Sequence, residues 1–515
     1  MGIKRYTAEQ DSTITNAFKT DLTTRATSSN MGEADVTEVF SIYAQATTSS
    51  IEKSRALYQF PITDIITDRT NEDIPASGSV EFYLRLYNAK HGLSLPRRAT
   101  YVVQPISQPW VEGDGLDMES YLDSGSCSWK MRNSANAWTT AGGSFLDRDT
   151  NAGIIFDKTL ERGTEDLEVD ISGLVEKWID GTYNNYGVVV KLSGAFEDGS
   201  NSRSYYTKKF FARGTEFFFK KPVIEARWDS SKKDNAGNFV LSSSLLPAND
   251  NLNTLYLYNF FRGRLRDIPA NDVLKSTKTD QPQIRLALFS GTTGPSGDKI
   301  RLPKGGGVAS ATQEHVTGSR VSTGIYSASF AYTSSITKFF PVWYTSPEDP
   351  TYTELVTGSA ITVASYESLP YDYNTKFISK ITNLKPVYST DETARFRLFA
   401  RQKNFTPNVY SKAQAEPQNH IIDNAYFKIT RVSDRLNVIP LGTSSTGPSD
   451  INNTTGYGTA TDYTRLSYDV SGNYFDLDMS LLEPGYLYSA GLAYYLNGQY
   501  REQKEKFNFR VEVDE

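Results

Sequence analysis

The chain is poorest in the residues that form covalent links or bind metals. Its 515 residues include one cysteine, Cys127, which excludes internal disulfides, a four-thiolate metal site and the cross-linked scaffold of a small extracellular domain. Stability has to come from core burial and sheet pairing. Histidine is almost as scarce: His91, His315 and His420 are the three in the chain. No uninterrupted run approaches the roughly 20 apolar residues of a membrane-spanning helix. Glu9, Gln10, Asp11 and Ser12 stand where a signal peptide has its apolar core, so synthesis in the cytoplasm with no address of its own is expected. Positive charge is short as well, 54 Lys plus Arg against 60 Asp plus Glu for a net of −6. A surface of that balance does not attract the phosphate backbone of DNA or RNA as a whole. Neither nucleic acid nor membrane is an expected partner.

What is plentiful is aromatic. Phe, Tyr and Trp make up 13% of the chain, with 32 Tyr and 27 Phe, while all hydrophobic residues reach only 38%. With abundant Thr, Ser, Gly and Asn, this profile predicts short strands joined by polar turns. The length allows about three domains of ordinary size. Period-two patterns dominate. In Val80 to Tyr87, Val80, Phe82, Leu84 and Leu86 share one face while Glu81 and Arg85 lie on the other. Strands are also predicted over 186–192, 210–219, 252–261, 284–289, 325–332, 396–400 and 486–496, and Asn497-Gly498 marks a hairpin. The clearest helix is Ser172 to Asp180, where Leu174, Val175, Trp178 and Ile179 recur at helical spacing to cover a sheet, Ser172 can cap and Gly181 can end it.

Polar stretches at 229–237 and 365–374 divide the chain into 1–225, 226–368 and 369–515, and the Gly/Ser/Thr-rich loops at 291–323 and 442–463 suit surface contacts. A weak repeat relates the last two domains. Ile325 to Tyr332 aligns with Leu487 to Tyr494, 162 positions apart, and Ile284-Arg285-Leu286 resembles Phe396-Arg397-Leu398. The third domain then carries a long insertion.

Chemistry is sparse. One histidine falls in each expected domain, so two could meet only between domains. Cys127 has no basic residue nearer in sequence than Lys130 to activate it. Asp147 to Gly153 alternates oxygen ligands, but its Gly comes one place late and Lys158 stands where an EF-hand has Glu, so an Asp-rich turn is the default. Asp476 and Asp478 share a strand face without evidence of a cleft, and Gly305-Gly306-Gly307 follows Lys304, the wrong order for a phosphate loop. Arg262, Arg264 and Arg266 alternate as an outward basic stripe, either solvated or docking an acidic neighbour. Trp110, Trp129 and Trp138 are core residues by default and a glycan-stacking platform otherwise. No catalytic, cofactor-binding or metal residues are assigned, and no cofactor is expected.

Two successions of residues resemble known families. Over 1–225, Asp11-Ser12-Thr13-Ile14-Thr15-Asn16, Ser29-Asn30-Met31-Gly32, Ser54 to Phe60, Trp110-Val111-Glu112-Gly113, Asp170 to Trp178 and Asn185-Tyr186-Gly187-Val188 resemble the DNRLRE family, a β-sandwich module similar to some carbohydrate-binding modules. On the residues alone, Trp178 and Val188 read as core, and Arg55 meets a carboxylate. Tyr256 to Leu265, Ala394 to Lys403, Leu466 to Asp469 and Gly472 to Met479 resemble uncharacterised structural proteins of tailed bacteriophages, especially those infecting marine bacteria. Leu482-Glu483-Pro484-Gly485-Tyr486-Leu487-Tyr488 is similar to the strand entry of fibronectin type III domains, where Tyr488 would be the corner tyrosine. The resemblances imply an all-β chain of three tandem sandwiches, a DNRLRE-like jelly roll followed by two immunoglobulin- or fibronectin-like domains. They further imply a non-enzymatic virion protein, homo-oligomeric and in contact with capsid, neck, tail or baseplate proteins. The alternative is a surface or fibre protein that binds a host glycan or receptor.

Overall fold

A computed structural model describes residues 2–43, 51–118, 126–198, 200, 204–268, 275–276, 279–282, 284–307, 312–345, 353–364, 376–403, 419–442, 462–496 and 499–513. The fold is all-β, built from antiparallel sheets with a few short helices. The expected Asn497-Gly498 hairpin turn, the 365–374 boundary and most of the 442–463 loop lie outside the described residues.

The first stretch of chain forms two sheets. One has four strands in the order Ile3–Thr7, Val223–Arg227, Glu81–Leu86 and Leu167–Asp170. The other runs Tyr205–Phe211, Val36–Tyr43, Ile51–Gln59, Val188–Leu192, Ala99–Pro105 and Phe156–Leu160, with Gln10–Thr15 paired to Ile51–Gln59. Between them lies a core of Tyr58, Phe82, Leu84, Leu86, Tyr101, Val190, Phe210 and Ile224. The Ser172–Ile179 helix covers this core with Leu174, Val175 and Trp178, as its spacing predicts, and Gly181 follows its end at φ +75°. Ser172 does not cap it. Its Oγ accepts from the Phe82 N–H (2.8 Å) and so ties the helix to the neighbouring strand. A second helix, Ile62–Thr70, lies outside the sequence expectations; it buries Ile65 in the core with Ile62 packed against it.

The larger sheet is buried on both faces, because alternate residues point opposite ways. Tyr58 and Val190 face the main core, whereas Leu57 and Val189 meet Ile14, Ile106, Trp110, Cys127, Trp129 and Trp138 in a second cluster. Gly187 enters this sheet at φ +82°, where an added Cβ would lie 2.0 Å from the Tyr58 carbonyl oxygen. Only glycine fits that approach, which explains the Asn185-Tyr186-Gly187-Val188 pattern in structural terms.

The next two clusters gather aromatic strands in the same manner. Phe239, Leu286, Phe330, Tyr332, Phe339 and Trp343 form one. Phe396, Phe427, Phe475, Tyr488 and Phe509 belong to the other, with Phe427 and Phe475 stacked 4.3 Å apart. Of the two repeat strands, Ile325–Phe330 pairs with Asn253–Tyr258, which precedes Ile284–Ser290, whereas Leu487–Leu496 pairs with Ala425–Arg431, which follows Thr393–Gln402. The Tyr488 hydroxyl donates to the Glu483 carbonyl at 2.7 Å, the corner bond expected of it. The Tyr326 hydroxyl accepts from the Ile268 N–H at 3.0 Å.

Candidate functional site

The residues singled out for chemistry are dispersed. Among the described residues no group of three or more His, Cys, Asp or Glu side chains is arranged to hold a metal. Burial lowers the pKa of His91, His315 and His420, and no two of them meet. Cys127 is fully buried among tryptophans. Arg148–Asn151 coils into a helical turn, with Asn151 donating to the Asp147 carbonyl and Arg148 pairing with Asp157 at 2.7 Å. Asp476 pairs with Arg395, while Asp478 turns away to accept from the Ser480 N–H and hydroxyl.

Two expectations need correction, while the default reading of Trp110, Trp129 and Trp138 as core holds: they are 5%, 8% and 5% exposed and form no stacking platform. Trp110 Nε1 donates to the Tyr186 carbonyl and Trp138 Nε1 to the Ser128 carbonyl, satisfying their only polar atoms. The arginine stripe does not share a strand face, because Phe260–Phe261 and Arg264–Leu265 are the two arms of a hairpin with Arg262 and Gly263 at its turn. Arg85 does not face solvent. It is 5% exposed, because the last stretch of chain covers the outer face of its sheet.

That covered face holds a buried network of three arginines and two glutamates. Glu225 sits at its centre and accepts from Arg5 Nε (2.9 Å), Arg85 Nη1 (2.8 Å) and Arg227 Nη2 (2.6 Å). Glu168 closes the network with both Nη atoms of Arg227, at 3.0 and 3.2 Å, and with Arg85. Glu225 and Arg227 are 0% exposed. Burial resists ionisation of Glu225, but Arg85, Arg227 and Arg5 outweigh it and hold the carboxyl well below the usual range. The lid is supplied from far along the chain: the Val438 carbonyl accepts from Arg5 at 2.7 Å, and the Tyr463 ring lies 5.4 Å from the Arg227 guanidinium. The surplus positive charge of three arginines over two glutamates is met by this carbonyl and by the Tyr83 ring, 4.3 Å from Arg227.

Further contacts weld the three stretches together. Ile3 and Phe219 from the first belong to the core of the last. Residues 232–234, within the stretch read as a polar boundary, lie along the last stretch instead: Lys232 N donates to Ser467 Oγ (2.9 Å) and Asp234 N to the Tyr468 carbonyl (3.1 Å). Arg320 clamps Glu72 with two 2.7 Å bonds and Asp267 with a third at 3.1 Å, joining the first stretch to the second. Where they converge lies a cleft of about 690 Å³, lined by Ile74, Trp228, Val321 and Phe475 among others, with Lys232 and Asp476 as charged walls.

A second hollow lies on the first stretch alone. Two adjoining depressions of about 580 and 440 Å³ share Gln104, Asp147 and Lys191, with Gln108, Thr139, Thr140 and Phe145 along the larger. Lys191 lies 5.0 Å from the Phe145 ring, and burial, opposed by Glu197, brings its ammonium down to about 8. Arg55 flanks it and meets the carboxylate expected for it, Glu197. Patterning could not have found this groove, because its residues come from 104–108, 139–147 and 191.

No known protein-family profile matches the chain, and no curated protein matches it.

Proposed function

We propose that this chain is a non-enzymatic structural component of a bacteriophage virion, a DNRLRE-like jelly roll followed by two immunoglobulin- or fibronectin-like sandwiches, that links or decorates particle proteins. The observation that carries this reading is the junction. A protein whose task is to set distances gains from domains that cannot swing, and here buried ion pairs and shared cores replace the polar, easily hydrated interfaces that usually allow relative motion. The resemblance of the Tyr256 to Leu265, Ala394 to Lys403 and Gly472 to Met479 strands to phage structural proteins supplies the particle. Symmetric copies in contact with capsid, neck, tail or baseplate proteins are the corresponding partners. Mass spectrometry of purified particles tests it: the chain should be retained at a fixed copy number, and its presence only in debris of infected cells would exclude the reading.

The groove around Gln104 and Lys191 favours a second reading, a surface or fibre protein that binds a host glycan. Two amides, a carboxylate and two hydroxyls beside a phenyl edge suit the paired hydroxyls and apolar face of a sugar ring. A glycan array probed with the full chain should return a defined sugar class if this holds, and a blank array removes it.

A further inference from the structure

The hairpin formed by residues 259–266 carries features that the fold does not need. Phe260 and Phe261 are 62% and 51% exposed on the arm that leads into its turn. The guanidiniums of Arg262 and Arg266 lie 5.3 and 5.6 Å from the Phe261 ring, so apolar and cationic surface form one patch. Neither these two nor Arg264 meets a carboxylate among the described residues, whereas Arg55, Arg148, Arg213, Arg320, Arg395 and Arg431 all do. The turn itself is strained: Arg262 adopts φ +50° ahead of Gly263 at φ +77°. A two-residue turn with positive φ at both positions favours Asn-Gly, so an arginine is held there against backbone preference.

The complement lies close by on the same molecule. The Ile62–Thr70 helix and the turn after it carry Asp64, Asp68, Glu72 and Asp73; Asp68 is held by Lys4 and Glu72 by Arg320, which leaves Asp64 and Asp73 as the carboxylates for an outside partner. Asp64 and Asp73 are exposed, and so is Ile66 at 37%. Hairpin and helix are neighbours, because Arg320 bonds both Asp267 at the foot of the hairpin and Glu72 after the helix.

We propose that the hairpin is a docking finger for a second copy of this chain, and that it seats on the acidic Ile62–Thr70 helix of that copy. With finger and helix side by side, a two-fold axis between them lets each copy give its finger and receive the other's, the self-complementary arrangement of a symmetric dimer. Phe261 then covers Ile66 of the other copy, while the arginines meet Asp64 and Asp73. This deepens the proposal of a symmetric virion component by naming one contact.

Sedimentation velocity on the full chain tests it. The wild type should dimerise at low salt and dissociate as salt rises toward about 0.5 M. Arg264→Glu with Arg266→Glu, and separately Asp64→Lys with Asp73→Lys, should each weaken dimerisation on the order of 100-fold with an unchanged melting temperature. Mixing the two variants should restore a dimer, because each reversed finger then meets a reversed helix. A wild type monomeric at about 100 µM and low salt, variants that dimerise as well as wild type, or a mixture that stays monomeric would each overturn the finger. A monomeric wild type that instead floats with phosphatidylglycerol vesicles would overturn it in favour of a lipid surface. None of these outcomes bears on whether the chain is found in particles, so failure of the finger and failure of the virion reading are distinguishable.

Discussion

Replacing Glu225 by Gln removes the carboxylate on which three arginines converge while keeping its shape. In the folded chain Arg85 and Arg227 would then keep Glu168 as their carboxylate, while Arg5 would keep only the Val438 carbonyl. Breaking a buried ion pair by removing one partner costs about 3–5 kcal/mol. The glutamine oxygen still accepts from part of the cluster, so about 3 kcal/mol is expected at pH 7. The loss should show as a lower urea midpoint by tryptophan fluorescence, together with earlier proteolytic nicking at the junction between the first and last stretches of chain. Because the arginines hold Glu225 well below its ordinary value of 4.5, its contribution is complete above pH 4.5 and is lost as pH falls through the folded value. The gap between wild type and variant should thus be constant from pH 8 down to about 6 and close only in strong acid. Salt should hardly alter it, since buried charges are poorly screened. Replacing Arg5, Arg85, Arg227, Glu168 and Glu225 together by Met and Leu is expected to cost less than E225Q alone, because no uncompensated charge remains. A gap under about 1 kcal/mol at pH 7, or one that widens as pH falls, would refute the assignment of Glu225 as the electrostatic centre of the junction.

Asp11 behaves in the opposite sense. Burial raises its carboxyl to about 7, against the bond it accepts from the Arg213 N–H, so its ionisation penalises the fold increasingly as pH rises from about 4 through 7. Asp11→Asn should therefore raise the melting temperature at pH 8, by an amount equivalent to about 2–4 kcal/mol, and match wild type near pH 4; an equal effect at both pH values would contradict this. Trp129→Ala should destabilise the first stretch by about 3–5 kcal/mol, and acrylamide should quench the wild-type tryptophans of the second cluster poorly, as their burial requires. Tyr488→Phe should cost about 1 kcal/mol through the lost bond to Glu483, read as a shifted denaturant midpoint with an unchanged slope.

Local pattern was legible wherever one side chain's environment follows from its neighbours in sequence. Strands form where the patterns around Phe82, Ile284, Phe396 and Leu487 place them, the Leu174 to Trp178 spacing does describe a helix, and Tyr488 forms its corner bond. Pattern failed where the second face of an element is decided elsewhere. Arg85 occupies an outward position on its strand and is buried only because residues near 438 and 463 close over it. Arg262 sits in an alternating run, yet the chain reverses on it, and Gly263 was the one signal for that turn. The Ile62–Thr70 helix is hard to read from pattern because its apolar stripe is three residues, Ile62, Ile65 and Ile66, of which only Ile65 is fully buried.

The amino-acid sequence alone determined the class of this protein. Scarce cysteine and histidine left core burial as its source of stability, and abundant aromatic and β-branched residues at period two committed the chain to sheets. Those are local properties, set by how each residue's side chain and backbone behave with their near neighbours. The junction around Glu225, the groove around Lys191 and the placement of the 259–266 hairpin near the Ile62–Thr70 helix were decided by tertiary structure. Each joins residues tens to hundreds of positions apart, and for buried charge the favourable term exists only once opposite charges share a site from which water is excluded.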